Sequence, residues 1–492
     1  MGPPRSSNSR SNPKDSKKDK KKPVQSSHRP AQSKPPAPSK PVEIDLSATI
    51  PPTLQQLLLN VFKTGLLSAD GLGWNQEHAH YNNTNPSVSG ETTAQPQENP
   101  LDIKGLIQTI KSHLYNRDFD SAFTDASDDL LCAYALRWSA SRALGYAGIF
   151  KALGKSLLGE TPTTPSGSSS VSPDSEGVSS SPSASTRHVI CIGGGAGAEI
   201  VALAAVWRDL LETQTSQLPA TNHDKEDKYT DTDTDKNALS EELASVSLQT
   251  TKTHDPTKLT PSQPQPCNLA ITAVDIADWS RVVDRLAFAI RSPRVPGSRT
   301  HPTPLLQRQP GTTSSEGQEE DEQISDFAVR FRRADVLSIS DAELKRLFRF
   351  DTTSTTALVT LMFTLNELFS TSMAKTTAFL LRTTDLLQPG ALLLVVDSPG
   401  SYSTLKLGKT TAEAGDVAEE GDLSAVKERR YPMKFLLDHT LLSVATGKWE
   451  RVLSQDSRWW RRDAARLGYD VGEGAGLEDM RFQVHIYRRV EG

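Results

Sequence analysis

The sequence predicts an α/β fold built on a parallel, doubly wound sheet, and three observations carry that reading. In HVICIGGGAGAEIVAL (188–203) an apolar run, Val189 to Ile192, meets a glycine-rich turn and then a helix-forming segment, Glu199 to Leu211. This is the strand–turn–helix order of a nucleotide-type cofactor site. Strand-sized apolar runs and helical stretches alternate from Val189 to Asp397, the mark of successive βαβ units. The C-terminus reads as two more strands, near Trp449 and at Arg481 to Arg488, joined without a long crossover helix.

Composition bounds the folded part. Of 492 residues, 36% are hydrophobic and 23% charged, and the apolar content is diluted by long Ser/Thr/Pro/Gln tracts that bury too little surface to offset their ordering entropy. The layout expected is a disordered basic tail at 1–42, an N-terminal helical region at 43–155, a linker at 156–186 and a sheet domain at 187–492. Low-complexity insertions are expected at 214–266, 292–323 and 409–428. The net charge of −5 argues against a nucleic-acid partner, but KKDKKK (17–22) makes the tail strongly basic, either a nuclear address, a phosphate-binding arm or a solubilising tail. Cys132, Cys191 and Cys267 are far apart, so no disulfide framework and no metal site is expected, and a reducing compartment is. Apolar runs are too short for a membrane span and the first thirty residues lack a secretory core.

Taken in order, Ile50-Pro51-Pro52 opens an amphipathic helix through Leu54, Leu57, Leu58, Val61 and Phe62. A second helix covers 103–114 and a third region begins at Phe119. That region ends in LCAYALRWSASRALGYAGIF (131–150), where Arg137 and Arg142 need partners on an otherwise apolar helix. They line the cofactor or substrate cleft, or they face solvent or an ion pair.

The glycine loop fits two cofactors. Gly193-x-Gly195-x-x-Ala198 suits a dinucleotide and Gly193-x-Gly195-x-Gly197 suits S-adenosylmethionine. The second strand, from Leu269, ends at Asp275, placed to accept ribose hydroxyls or to cap the helix that follows. An alternating run that opens at Asp326 is a third strand with Asp335 just past it, positioned for an adenine amino group with Val336 or Leu337 against the ring. A fourth strand, 356–363, yields to Asn366 and Glu367, and a fifth covers 391–397. Beyond them, DSRWWRRD (456–463) sets Trp459 and Trp460 among Arg458, Arg461 and Arg462, a base-stacking and phosphate-holding pattern or simply core.

The closing pair of strands suits a seven-stranded methyltransferase sheet better than a dehydrogenase. Together, RWSASRALGY, VICIGGGAGAEIVAL, VDIADW, LMFTLNELFS, LLQPGALLLVVDSPGSYS, DSRWWRRD and LEDMRFQVHIYRR resemble the fungal large-subunit (25S) ribosomal RNA uridine-N3 methyltransferase family. The resemblance spans the folded portions from about residue 50. It implies an α/β, Rossmann-like seven-stranded class I methyltransferase sheet with an N-terminal helical extension and disordered insertions. It also implies an S-adenosyl-L-methionine-dependent enzyme methylating one uridine of large-subunit ribosomal RNA, in the nucleus or nucleolus. A monomer acting on that RNA or on a pre-ribosome is expected, without membrane association, the cytoplasm being the alternative location.

Carried over, Gly193, Gly195 and Gly197 would cradle the methionine part of the cofactor, Asp275 its ribose and Asp335, beside Val336, its adenine. Many class I methyltransferases have an acid two positions before the first loop glycine. This chain has Cys191 there, so Glu199 or the helix at Arg137 to Arg142 would supply those contacts. Uridine N3 must lose a proton to become a nucleophile. Asn366 would read the base edge and Glu367 would take or orient the proton, unless Glu367 only begins the next helix. Arg137, Arg142, Arg458, Trp459 and Trp460 would contact substrate. Alternatives left open are a non-catalytic ribosome-assembly factor with the same fold, and methylation of a protein or small molecule.

Overall fold

The computed structural model describes residues 44–67, 101–158, 185–217, 267–307, 327–351, 354–400, 402–406 and 428–491. The basic tail, linker residues 159–184, and insertion residues 218–266, 308–323 and 409–427 lie outside the described residues.

The main sheet contains β1 (Ser185–Ile192), β2 (Cys267–Asp275), β3 (Phe327–Arg333), β4 (Thr355–Met362), β5 (Leu392–Asp397), β8 (Trp449–Trp460) and β9 (Met480–Arg489). Their order is β3-β2-β1-β4-β5-β9-β8. The first five pair in parallel, and β9 lies antiparallel between β5 and β8. This is the seven-stranded class I methyltransferase order, with the closing antiparallel pair read from the sequence. Two short strands, β6 (Tyr402–Lys406) and β7 (Glu428–Pro432), form a separate hairpin that the sequence did not suggest, since their pairing spans a charged insertion.

Strand order reverses between β1 and β4, so a crevice opens at their carboxyl ends. The antiparallel pair reaches the same edge. Gln483 lies opposite Asp397, and two residues further out Arg481 pairs with Trp459. Strand β8 therefore runs through both tryptophans, well beyond the short segment expected at Trp449.

Among the described residues, five α-helices precede the sheet: α1 (Pro52–Leu67), α2 (Ile103–Tyr115), α3 (Asp128–Tyr134), α4 (Ala140–Ala152) and α5 (Gly154–Leu158). Ser127 caps α3 by accepting the Leu130 amide at 3.3 Å, ahead of Asp128 and Asp129 in the first turn. A wide π turn, Ala135–Ser139, joins α3 to α4 without a break. The crossover helices are α6 (Ala198–Gln217), α7 (Ser280–Arg291), α8 (Asp341–Leu347), α9 (Leu365–Thr371) and α10 (Met373–Leu386), and α11 (Met433–Asp438) follows the hairpin.

Helix α6 decides how the helical region relates to the sheet. Every residue from Ile200 to Trp207 is at most 1% exposed, so α6 has no solvent face over two turns. One side lies on the sheet and the other is covered by the N-terminal helices, whose Leu58, Phe62, Ala143, Ala147 and Phe150 share its core cluster. Helix α1 also lies close on α7: the place of a Cβ on Gly65 is 3.0 Å from Ala289 Cβ, and Arg285 Nε donates to the Gly65 carbonyl at 2.8 Å. The N-terminal helices and the sheet form one unit, Glu43–Gly492.

The stretch 292–323, read as a low-complexity insertion, is corrected in its first half. Val295, His301, Leu305 and Leu306 are buried, and Arg208 of α6 donates to the carbonyls of Pro302 (2.8 Å) and Pro304 (3.1 Å). Proline and serine masked three apolar anchors, a buried histidine and the buried arginine of α6 that holds their backbone.

Two predictions follow from this packing. Phe62→Ala removes a fully buried ring from α1 and should destabilise the protein by about 3–5 kcal/mol, lowering a single cooperative transition in thermal unfolding. An early separate transition with the sheet's melting unchanged would contradict one unit. His188 and His485 are buried in the sheet, and burial lowers them to about 3 and about 4. A depressed folded value means stability is present above the unfolded value near 6.5 and is lost as pH falls. Denaturant titrations should show His188→Gln losing less stability than the parent between pH 6.5 and 4, whereas equal losses would exclude that linkage.

Candidate active site

The site grows from the end of β1. Gly193 turns the chain at φ +76°, and its amide donates to the Val274 carbonyl of β2 at 2.7 Å. A Cβ there would lie 2.1 Å from Thr364 Oγ1, just past β4. At Gly195 a Cβ would lie 2.2 Å from the Trp279 ring and 2.9 Å from Asp275 Cβ, and at Gly197 2.2 Å from Leu286. The loop thus touches the exits of β2 and β4 and helix α7 at once, and only glycine permits that approach.

Asp275 braces this loop. Its carboxylate accepts the amides of Gly195 and Ala277, both at 3.2 Å, and the Trp279 side chain. Burial raises it to about 6 against those donors. It does not cap α7: the helix begins after Trp279, and Asp278 holds the Ser280 amide instead. Asp335 lines a cavity at the end of β3 with Arg333, Ala334, Ile339 and Arg346, while accepting from the Leu337 amide (2.9 Å) and Ser338 hydroxyl (2.6 Å). The reading of Val336 against the adenine ring is corrected. Val336 is buried under α8 with Leu344 and Leu347, and the apolar lining of the cavity is Ala334, Ile339 and Leu347.

The N-terminal helices close the crevice from above. Arg142 of α4 donates to the Tyr134 hydroxyl at 2.9 Å, and its guanidinium lies 5.0 Å from the Phe363 ring centre and 5.7 Å from that of Tyr134. Tyr134 packs on Trp138, Phe123 and Trp279, so an aromatic wall runs from α3 to the glycine loop. Glu199, in the first turn of α6, is buried with Oε1 lacking any hydrogen-bond partner. Arg137 is different. It is ion-paired to Glu478 and donates to the Gly476 carbonyl at 3.2 Å, so its expected substrate role is corrected to a tie between the π turn and the approach to β9.

On the far side, Phe363 leaves β4 at φ +58°, a conformation costing a bulky residue about 1–3 kcal/mol. Strain there is held by its amide donating to Val396 (2.7 Å) and by Thr364 against Gly193. Asn366 follows, its amide donating to buried Asp397 at 3.0 Å and its side-chain oxygen buried without a partner. Glu367 is exposed in the first turn of α9.

Asp397, which the sequence offered only as a strand end, is the anchor of this turn. The β5 exit is held further by Gln483, which donates to the Ser398 carbonyl at 2.8 Å and is itself backed by His485 at 3.0 Å. A single polar residue ending an apolar run was the available signal for Asp397. Gln483 and His485 alternate with buried apolar residues on β9, which marks them as facing a different layer.

The tryptophan pair splits. Trp460 turns inward, 3.5 Å from the place of a Cβ on Gly145, and Arg458 donates to the Leu46 carbonyl at 2.6 Å, so both expected substrate contacts are corrected to packing. Trp459 is 49% exposed at the sheet's carboxyl edge, with Arg461 4.2 Å and Arg481 5.8 Å from its ring centre.

Comparisons with known proteins agree with this geometry. A family model described as "Putative SAM-dependent methyltransferase" matches residues 90–488. The chain is 28% identical over 390 residues to the Saccharomyces cerevisiae protein named 25S rRNA (uridine(2843)-N(3))-methyltransferase, covering 77% of this chain and 76% of that one. Similar solved structures include an O-methyltransferase family protein from Burkholderia thailandensis (11% identity, 80% of this chain and 71% of that chain, TM-score 0.30). Another is a 16S rRNA (adenine(1408)-N(1))-methyltransferase from Catenulisporales acidiphilia (10% identity, 62% and 88%, TM-score 0.24). Superpositions that loose carry no weight beside the strand order itself.

The residues present suit an adenosyl cofactor with an amino-acid end: a glycine loop whose backbone is held close against the exits of β2 and β4 and against α7 at the sheet's carboxyl edge, and an orphaned buried carboxylate oxygen beside it. Gly195→Ala should weaken S-adenosylhomocysteine binding by about tenfold or more, about 1.4 kcal/mol, in titration calorimetry. Gly468→Ala, where a side chain meets open space, should bind like the parent. Unchanged binding by the Gly195 variant would remove the loop from the cofactor site.

Proposed function

The chain belongs to the S-adenosylmethionine-dependent methyltransferase family, and from that premise we propose that it methylates N3 of a uridine in large-subunit ribosomal RNA. The observation that carries the substrate is the match along 77% of the chain to the yeast enzyme named for that reaction. The geometry supports it, because the strained turn after β4 touches the glycine loop, and Asn366 follows that turn at the edge where the loop would hold the cofactor. In this reading the protein works in the nucleus or nucleolus, as a monomer, on ribosomal RNA or a pre-ribosome.

When bound, S-adenosylmethionine supplies an electrophilic methyl group. The chain's own residues do the rest. Asn366, its amide tied to Asp397, directs a buried and unpartnered carbonyl oxygen to the imide edge of the base, where the N3 proton leaves. Glu367, one residue on and exposed, takes that proton to solvent. Phe363 and Tyr134, the two rings against which Arg142 lies, would border the place of the base and limit the poses it can take. Trp459, with Arg461 and Arg481 beside it, offers an exposed ring and two cations for the flanking RNA.

With purified protein, labelled cofactor and large-subunit RNA, nucleoside mass spectrometry should show 3-methyluridine. Asn366→Ala should lower kcat by about a hundredfold or more. Label appearing only in protein or small molecules would transfer the activity to another substrate, and absence of any transfer alongside intact cofactor binding would favour an assembly role.

A further inference from the structure

The cofactor's amino-acid end poses a charge problem that this chain meets without an acid on β1. Cys191 occupies the position, fully buried, its thiol pushed up by burial and by the neighbouring Glu199 carboxyl. A buried thiol there attracts no ammonium group.

Two other side chains converge on the same place from different elements. Glu199 stands at the start of α6, where free amides and the helix dipole face the loop, and it is 3% exposed with Oε1 unpartnered. Arg142 comes from α4, fixed through one nitrogen to Tyr134 and through its plane against Phe363. Each feels the other's charge, yet they make no ion pair. Leaving a buried carboxyl oxygen without a partner costs about 1–3 kcal/mol, so a fold holding this pair apart keeps one acidic and one basic group available to a ligand.

We propose that Glu199 and Arg142 form a recognition site for an α-amino-acid zwitterion, Glu199 taking the ammonium group and Arg142 the carboxylate of the cofactor's methionine end. The acid missing from the strand is thereby replaced from the helix, and its counterpart is supplied by the N-terminal helical region. Both groups have capacity to spare: Glu199 through Oε1, and Arg142 through the donors that Tyr134 leaves free.

A proton accompanies the ligand. Glu199 is raised to about 8 by burial, opposed by Arg142. The groups facing it are Arg142 and Tyr146 of α4, Tyr134 at the end of α3, Cys191 of β1 and Asp275 of β2, with Asp397 of β5 near Tyr146. At neutral pH the ligand-free carboxyl is therefore largely protonated. Binding an ammonium group favours the ionised form, so about one proton is released.

The inference rests on the family's cofactor and not on the ribosomal substrate, so binding measurements read it whichever RNA is methylated. Calorimetry on the full chain compares S-adenosylhomocysteine, 5′-methylthioadenosine, which has no amino-acid end, and decarboxylated S-adenosylmethionine, which keeps the ammonium alone. Glu199→Gln should lose about tenfold or more on S-adenosylhomocysteine and nothing on 5′-methylthioadenosine. Arg142→Gln should lose a similar factor on S-adenosylhomocysteine while keeping its affinity for the decarboxylated compound. In buffers of different ionisation enthalpy near pH 7, the parent should release a proton on binding S-adenosylhomocysteine, and Glu199→Gln should not. Equal losses on all three ligands would show a structural role only, and unchanged S-adenosylhomocysteine affinity in either variant would overturn the assignment.

Discussion

The burial of helix α6 on every side is the constraint from which the rest of the molecule follows. A helix that presents Ile200, Val201, Leu203, Val206 and Trp207 around its whole circumference cannot lie on a sheet and face water. Its outer side needs a second layer, and α1 and α4 provide it. Because α6 begins at the glycine loop, any element that covers it ends beside that loop. The N-terminal helices therefore form one wall of the crevice, and Arg142, Tyr134 and Trp138 stand beside the exits of β2 and β4 as a consequence of hydrophobic packing.

That wall changes the electrostatics. Glu199 and Asp275 sit where water is displaced, and burial raises both carboxyls above their ordinary range. Asp275 resolves its position with four donors, the amides of Gly195, Ile276 and Ala277 and the Trp279 side chain, and so stiffens the loop. Glu199 keeps an oxygen unmatched. The two acids are close in space and differ in role because Asp275 accepts from several donors around it, whereas Glu199 accepts only from its own amide and keeps Oε1 without a partner. Across the crevice the same logic separates Asp397, which anchors the Asn366 turn, from Glu367, which is left to solvent.

Much of the fold was legible. The apolar run, glycine turn and helix at 188–203 specified β1, the loop and α6, and the alternation after it specified the parallel strands. The unbroken apolarity of IVALAAVW (200–207) also carried the message that α6 is covered twice, which the reading of the N-terminal helices as elements ahead of the sheet did not use. The site was legible where backbone geometry dictates residue type, as at Gly193 and Gly195. It was less so where a side chain's partner comes from far along the chain. Arg137 and Arg142 look alike five residues apart, but one meets Glu478 and the other meets Phe363, and no local pattern distinguishes them. Trp459 and Trp460 separate for a simpler reason, since neighbours on a strand face opposite sides. The ordered stretch after α7 was missed because proline and serine outnumber the few apolar anchors that bury it.

The central claim is that the N-terminal helices are part of the cofactor site. Hydrogen exchange on the full chain, with and without S-adenosylhomocysteine, tests it most directly. The account predicts that the ligand slows exchange in the glycine loop, 193–199, and also in the α3–α4 segment from 134 to 146. Protection confined to the sheet edge, with 134–146 exchanging at its ligand-free rate, would contradict it.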